Sequence, residues 1–200
     1  MPRRSSTAIE TQPLTPGRWR DFAALMGTAY YTRHCWCMWP RLATNYKERG
    51  GEANRRSIKR VVETATAPPG VLAYVDGAPV GWCAVARREE YPKLDRSRAT
   101  SRIDDEPVWS IVCFFIARPV RRGGVSRALL KAAVALAAGH GAKIVEAYPV
   151  ERTRNLFRGV ASVYRDAGFK EVSRRSANQP VLRYRIRPRS RRAVAHRDTV

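Results

Sequence analysis

Apolar positions along the chain alternate between two spacings. Trp19, Phe22, Ala23, Leu25 and Met26 recur at helical intervals behind Thr15-Pro16-Gly17, with Gly27 at the far end. This predicts a helix with proline near its start. In residues 52–66, Ile58, Val61 and Val62 share one face, with Arg55, Arg56, Lys59 and Arg60 around the other. That is a second amphipathic helix. After Pro68-Pro69-Gly70, residues 71–75 are a short apolar run, Asp76-Gly77 is a hairpin turn signal, and residues 80–86 form the return strand. Residues 87–107 are polar and charged, and they read as an excursion outside the core. Residues 108–116 are nearly all apolar, as in a strand covered on both faces. Residues 125–138 favour helix, and Gly139-His140-Gly141 stops it.

The remaining elements are shorter. Residues 30–40, aromatic and cysteine-rich, read as a loop or short helix. Residues 142–148 are a strand closed by Pro149, and residues 153–167 a helix weakened by Gly159. Residues 169–175 and 180–187 form a last strand pair. The order predicts an α/β fold with a mixed central sheet flanked by helices. It gives a single domain over 14–187, a flexible arm at 1–13 and a basic tail at 188–200.

Composition narrows the class. The 200 residues are 44% hydrophobic and include five Trp, eight Tyr and five Phe, enough for a packed core. No apolar run reaches the length of about 18 residues that suggests a membrane span. Met1-Pro2-Arg3-Arg4-Ser5-Ser6 has charge without an apolar stretch behind it, so no secretory signal is expected and the cytoplasm is the default compartment. Four cysteines do not make a disulfide scaffold. Cys35-Trp36-Cys37 lacks a second ligand pair for zinc, so free thiols and no metal are expected.

Charge is the unusual number. Thirty-eight Lys and Arg against 17 Asp and Glu give +21. Residues 183–200 hold seven Arg and one Asp, a net of +6. Residues 41–60 carry a net of +5, and residues 118–131 hold five basic residues and no acidic one. Such a chain attracts polyanions.

The joint between residues 116 and 130 carries the chemistry. A strand runs into Arg121-Arg122-Gly123-Gly124-Val125-Ser126-Arg127, where a helix begins. Successive backbone N–H groups and the positive end of the helix dipole form an anion cradle there. Glycine lets phosphate oxygens approach the backbone, and Arg121, Arg122 and Arg127 add charged donors. No Gly-Lys-Ser/Thr follows, so this is no P-loop, and the glycine spacing is not that of a dinucleotide fold.

Strand, Arg-x-x-Gly-x-small, helix resembles the coenzyme A pyrophosphate loop of the GNAT acyltransferase superfamily, matched by Arg121, Gly124 and Ser126. Ser126 stands where Gly or Ala is usual. The hairpin Val75-Asp76-Gly77-Ala78-Pro79-Val80-Gly81 is similar to that fold's second and third strands. Tyr164-Arg165-Asp166-Ala167-Gly168-Phe169 is similar to its Tyr-x-x-x-Gly-Phe segment. Cys35-Trp36-Cys37-Met38-Trp39 and Glu146-Ala147-Tyr148-Pro149 resemble one branch of the superfamily. The resemblance covers about residues 14–187.

It implies attack by an amine on a thioester, with acetyl-CoA or another acyl-CoA as cofactor. Phe115 and Ile116 would pair with the pantetheine-like arm, and residues Arg121, Arg122, Gly123, Gly124, Val125, Ser126 and Arg127 would hold phosphates. Tyr164 becomes the general acid; the plainer alternative is a Tyr packed under the sheet. Glu146 is the first candidate for general base, with Asp104, Asp105 and Glu106 as rivals and ordinary ion pairing as the alternative. Tyr30, Tyr31, Trp36 and Trp39 line the acceptor pocket or pack in the core.

A small cofactor needs only a few cations, so the surplus charge favours a tRNA-borne aminoacyl group as donor or acceptor, with no coenzyme if it is the donor. Arg55, Arg56, Lys59, Arg60, Arg118, Arg187, Arg189, Arg191 and Arg192 would then track RNA phosphates. The alternatives are an ordinary acetyl-CoA-dependent N-acetyltransferase of a small amine, and a non-catalytic RNA-binding protein of the same fold.

Overall fold

The computed structural model describes residues 8–43, 46, 48–152 and 157–187. Arg189, Arg191 and Arg192, with the rest of the expected tail, lie outside the described residues. Seven strands form one sheet in the order β1-β2-β3-β4-β5-β7-β6. They are β1 (Ile9–Pro13), β2 (Gly70–Val75), β3 (Ala78–Arg87), β4 (Trp109–Ile116), β5 (Ile144–Ala147), β6 (Lys170–Ser176) and β7 (Gln179–Arg185). Only β4 and β5 run parallel; every other neighbouring pair is antiparallel. The helices are α1 (Trp19–Gly27), α2 (Tyr30–Cys35), α3 (Gly50–Thr64), α4 (Val125–Gly139) and α5 (Ala161–Asp166). The expected α/β architecture, a mixed sheet flanked by helices, is therefore the observed one.

The sheet divides the core in two. Phe22, Leu25 and Met26 of α1 and Ile58 and Val62 of α3 pack with Leu72, Trp82 and Val112 on one face. On the other, Val125, Leu129, Leu130 and Ala133 of α4 and Tyr164 of α5 pack with Val71, Val85, Ile111 and Phe114. Leu72 and Val71 are successive residues on opposite faces, as strand geometry requires. Asp76 (φ +50°) and Gly77 (φ +76°) close the β2–β3 hairpin with two left-handed residues, the pattern that matches strand twist.

Three expectations need correction. The stretch expected as an arm over 1–13 contains a strand, since Ile9–Pro13 pairs antiparallel with β2 in a five-residue register. The 87–107 excursion is partly core: Arg88, Tyr91, Leu94 and Thr100 are buried. Of the helix expected over 153–167, residues 153–156 lie outside the described residues, and the described helix runs Ala161–Asp166, because Gly159 is left-handed (φ +74°) and Val160 is extended. Arg183 and Arg185 lie in β7, within the strand expected over 180–187.

Candidate active site

Gly81 fixes where α4 sits. A Cβ at Gly81 would lie 2.9 Å from Val125 Cγ1 and 3.0 Å from Leu129 Cδ1, so its absence lets the first turns of α4 rest on β3. The chain enters α4 through Arg122 (φ +66°) and Gly124 (φ +89°). The first helical bond here is Ala128 N–H to the Gly124 carbonyl at 3.2 Å. The N–H groups of Val125, Ser126 and Arg127 thus precede any intrahelical acceptor and point out of the helix start. Around them, Arg121 Nε donates to the Ile116 carbonyl at 3.0 Å, and Arg127 pairs with Asp166 at 3.3 Å. Arg118 and Arg122 have no ion-pair partner among the described residues. Glycine backbone, open donors and free guanidinium groups are the chemistry that a pyrophosphate requires.

The same end of the sheet opens. β4 and β5 pair only through Trp109–Val145, Ser110–Glu146 and Ile111–Ala147. Beyond Ile111, β4 has a register shift against β3 and β5 leaves it. Residues 157–160 lie in the gap: Phe114 N–H donates to the Phe157 carbonyl at 2.6 Å, and Val150 bridges Val160 in parallel. The expected pair Phe115 and Ile116 therefore splits. Phe114 faces the gap, so by alternation Ile116 does too, whereas Phe115 turns its backbone toward β3. Ala117 N–H confirms the alternation by donating to Val80 on β3 at 2.9 Å.

Tyr164 sits under this segment, 1% exposed. Its hydroxyl donates to the Arg158 carbonyl at 3.1 Å. A Cβ on Gly159 would lie 2.9 Å from its ring, so glycine there admits the Tyr. Burial pushes its pKa well above the usual phenol value, which keeps the proton on oxygen. Tyr164 thus packs under the sheet, with its hydroxyl bonded to the segment in the gap.

Beside the gap, on the α1–α2 face, is a cavity of about 460 Å³. Tyr31, Cys35, Trp39, Val112, Cys113 and Arg158 are among its walls. Of the four aromatics expected at an acceptor pocket, Tyr31 and Trp39 line it. Trp36 instead stacks on Trp19 in the core, and Tyr30 is exposed. Cys35, Cys37, Cys83 and Cys113 are free thiols, and Trp82 Nε1 donates to Cys37 Sγ at 3.0 Å. The Cys37 pKa is pushed up by its contact with Cys113 and by burial, so it stays a neutral thiol. Among the described residues, no cluster of three or more His, Cys, Asp or Glu could hold a metal ion.

Glu146 does not reach the cavity. It is 2% exposed and held by Arg183 Nε at 2.7 Å, Arg88 Nη1 at 3.4 Å and the Tyr148 hydroxyl at 2.6 Å. Both its oxygens are occupied by donors, so the general-base role expected of it is not supported by this geometry. Its rivals Asp104 and Glu106 bind Arg183 at 2.7 and 3.0 Å. Among the described residues, neither Asp105 nor any other carboxylate lines the cavity.

The expected RNA-binding set is not brought together. Arg55 and Arg56 both approach Glu52 at 3.6 Å, and Lys59 approaches Glu63 at 3.6 Å. Arg55 also lies over Trp19 and Trp36. Helix α3, which carries them and Arg60, packs on the opposite face of the sheet from α4. Arg118 belongs to the turn before α4, and Arg187 is exposed beyond β7.

Sequence reasoning missed Arg88, which binds Asp95, Glu146, Tyr148 and the Thr100 carbonyl from a 2% exposed position. It also missed Arg158. Neither had a signal beyond the apolar neighbours Val85 and Phe157, because nothing in a basic sequence separates a buried arginine from a solvated one.

With this geometry in place, residues 31–169 match the family model described as the acetyltransferase (GNAT) family, and the chain belongs to that family of N-acyltransferases. It is similar in fold to the GNAT domain of S. lividans PAT, with TM-score 0.57 and 13% identity over 93% of this chain and 100% of that one. It is also similar to PaiA N-acetyltransferase from Thermoplasma acidophilum in complex with coenzyme A, with TM-score 0.53 and 12% identity over 90% and 99%. A third likeness is to aminoglycoside N-acetyltransferase AAC(6')-Iy in complex with CoA, with TM-score 0.53 and 14% identity over 87% and 94%. No curated protein matches the sequence. No helix among the described residues is long and apolar enough to cross a membrane.

Proposed function

We propose that the protein is an acyl-coenzyme A-dependent N-acyltransferase that acylates a small amine in the cavity beside β4. The observation that carries the reading is the shared position of two features. The open N–H groups of α4 and the β4–β5 gap lie at the carboxyl ends of the two parallel strands, where ligands of α/β sheets bind. Bound acyl-CoA would supply an activated thioester carbonyl and a thiolate leaving group. Residues 123–127 would hold its phosphates through backbone N–H groups, with Arg118, Arg121 and Arg122 adding charge. Ile116 would offer backbone pairing to the arm in the gap.

Tyr164 would supply the proton that the leaving thiolate takes up. Its hydroxyl reaches the gap segment; burial makes the phenol a weak acid, so the proton passes only to the strongly basic leaving thiolate and returns to Tyr164 from solvent. With no carboxylate in the cavity wall, the amine is expected to react from its neutral form and release its proton to water. An RNA partner draws no support from the neighbours in fold.

Thermal unfolding tests the reading. Acetyl-CoA at 100 times its Kd should stabilise by about 2.7 kcal/mol. That corresponds to roughly 5–10 °C in Tm for a domain of this size. No shift with acetyl-CoA, together with RNA that co-purifies and washes off only in high salt, would replace this reading with an RNA-dependent one.

A further inference from the structure

Arg158 is the one charged residue among the described residues of the cavity wall. Its side chain has no ion pair or hydrogen bond among the described residues. Its guanidinium lies 5.6 Å from the centre of the Trp39 ring, and burial lowers its pKa. Half-buried, it differs from the more deeply buried arginines, each of which has a carboxylate: Arg41 has Glu90, Arg88 has Asp95 and Glu146, and Arg183 has Asp104, Glu106 and Glu146. A half-buried guanidinium that lines a cavity and lacks a counter-ion is an anion site, because its partial desolvation is offset when an anion arrives.

We infer that the cavity binds an apolar ligand bearing a carboxylate, held by Arg158 at the wall and by Tyr31, Trp39 and Val112 along its apolar part. The ligand class follows from what the cavity contains. A volume of about 460 Å³ fits a small aromatic or aliphatic acid. A ligand with only an ammonium group would face Arg158, and no Asp or Glu is present to receive it. The Trp39 face is no substitute cation site, since Arg158 lies over it and Lys93 Nζ is also 5.6 Å from its centre. Specificity of this kind is strong, because a site built around a buried charge rejects an analogue that leaves the charge unpaired.

The proposal rests on the acyltransferase reading only for its biological role: the carboxylate would then belong to the acceptor amine, making it an amino acid or a relative of one. Binding itself needs no cofactor and is tested first. Calorimetric titration of the full chain should compare 3-phenylpropanoate, 3-phenylpropanamide and phenethylammonium. The carboxylate should bind at least about tenfold more tightly than its neutral amide, the scale of one charge-assisted hydrogen bond. The ammonium should bind worst. Arg158→Gln should bring acid and amide within about twofold, and Arg158→Lys should keep part of the preference. Equal or weaker binding of the acid in the unmodified protein overturns the proposal, and that comparison does not depend on any variant folding.

A second arm locates the carboxylate. Acetyl-CoA and succinyl-CoA should raise Tm equally if it is on the acceptor. A succinyl preference that disappears in Arg158→Gln would move it to the acyl group. If 3-phenylpropanoate binds while acetyl-CoA gives no Tm shift, the acyl-CoA reading fails and the anion site stands.

Discussion

Arg183 and Arg158 are both drawn out of water within one small domain, and the chain treats them in opposite ways. Arg183, 5% exposed on β7, reaches Glu146, Asp104 and Glu106. With Arg88 and Tyr148 it ties β5, β7 and the 88–106 segment into one network. Arg158 meets aromatic faces and a cavity. Where every charge is matched, the arrangement does structural work and leaves nothing for a ligand to do. Where a charge is unmatched, the protein retains an unfavourable group that folding alone does not explain, and functional sites concentrate such groups.

Breaking Arg183 should give the largest effect. Arg183→Ala leaves Glu146 buried with Arg88 and Tyr148 alone, and should destabilise by about 3–5 kcal/mol in urea unfolding. Tyr164→Phe should then lower turnover by about a hundredfold or more, the usual scale of a lost general acid, with little change in acetyl-CoA affinity. Unchanged turnover would return Tyr164 to a packing role. Gly81→Ala should cost about 1–3 kcal/mol by overpacking against Val125 and Leu129. It should also weaken acetyl-CoA binding, because the start of α4 must shift. Arg158→Gln, the counterpart of the first variant, should leave stability within about 0.5 kcal/mol while abolishing acid selectivity. A large loss of stability there would show that Arg158 has a structural partner after all.

The smallest effect concerns acid. Glu151 bonds Arg165 at 2.6 Å and Arg174 at 2.7 Å, and these guanidiniums hold its carboxyl at about 2, below the ordinary 4.5. Its folded pKa is the lower one, so its contribution is present above pH 4.5 and is lost as pH falls toward 2. Glu151→Gln should flatten that part of the curve of stability against pH. The pair is exposed and screened by salt, so the change should shrink at high ionic strength.

The sequence pattern made most of the scaffold legible. The hairpin at Asp76-Gly77, the apolar β4 and the Arg-x-x-Gly turn before α4 each have a local cause that can be read one residue at a time. The candidate site was legible only where it is backbone chemistry, at residues 121–127. The cavity is not local. Tyr31, Trp39, Val112 and Arg158 come from four separate stretches, and no spacing links them. Glu146 misled because burial of a carboxylate has two opposite outcomes. A dry carboxylate is a base, whereas one between Arg88 and Arg183 is a tether, and its partners lie 58 and 37 residues away. The same long-range pairing removes Arg183 and Arg185 from any tail that RNA could use.

The outer strand β6 has one further consequence. Its sequence, Lys-Glu-Val-Ser-Arg-Arg-Ser, is largely exposed, and one side of its backbone has no neighbouring strand. An uncovered strand of this kind is a template on which another chain can polymerise. Lys170 and Arg175 place cations along that margin, where Arg174 is paired with Glu171 and Glu151, and β1 ends the opposite margin with Pro13. A second copy approaching either border would meet charged side chains at one and a missing amide at the other, features that disfavour sheets adding end to end.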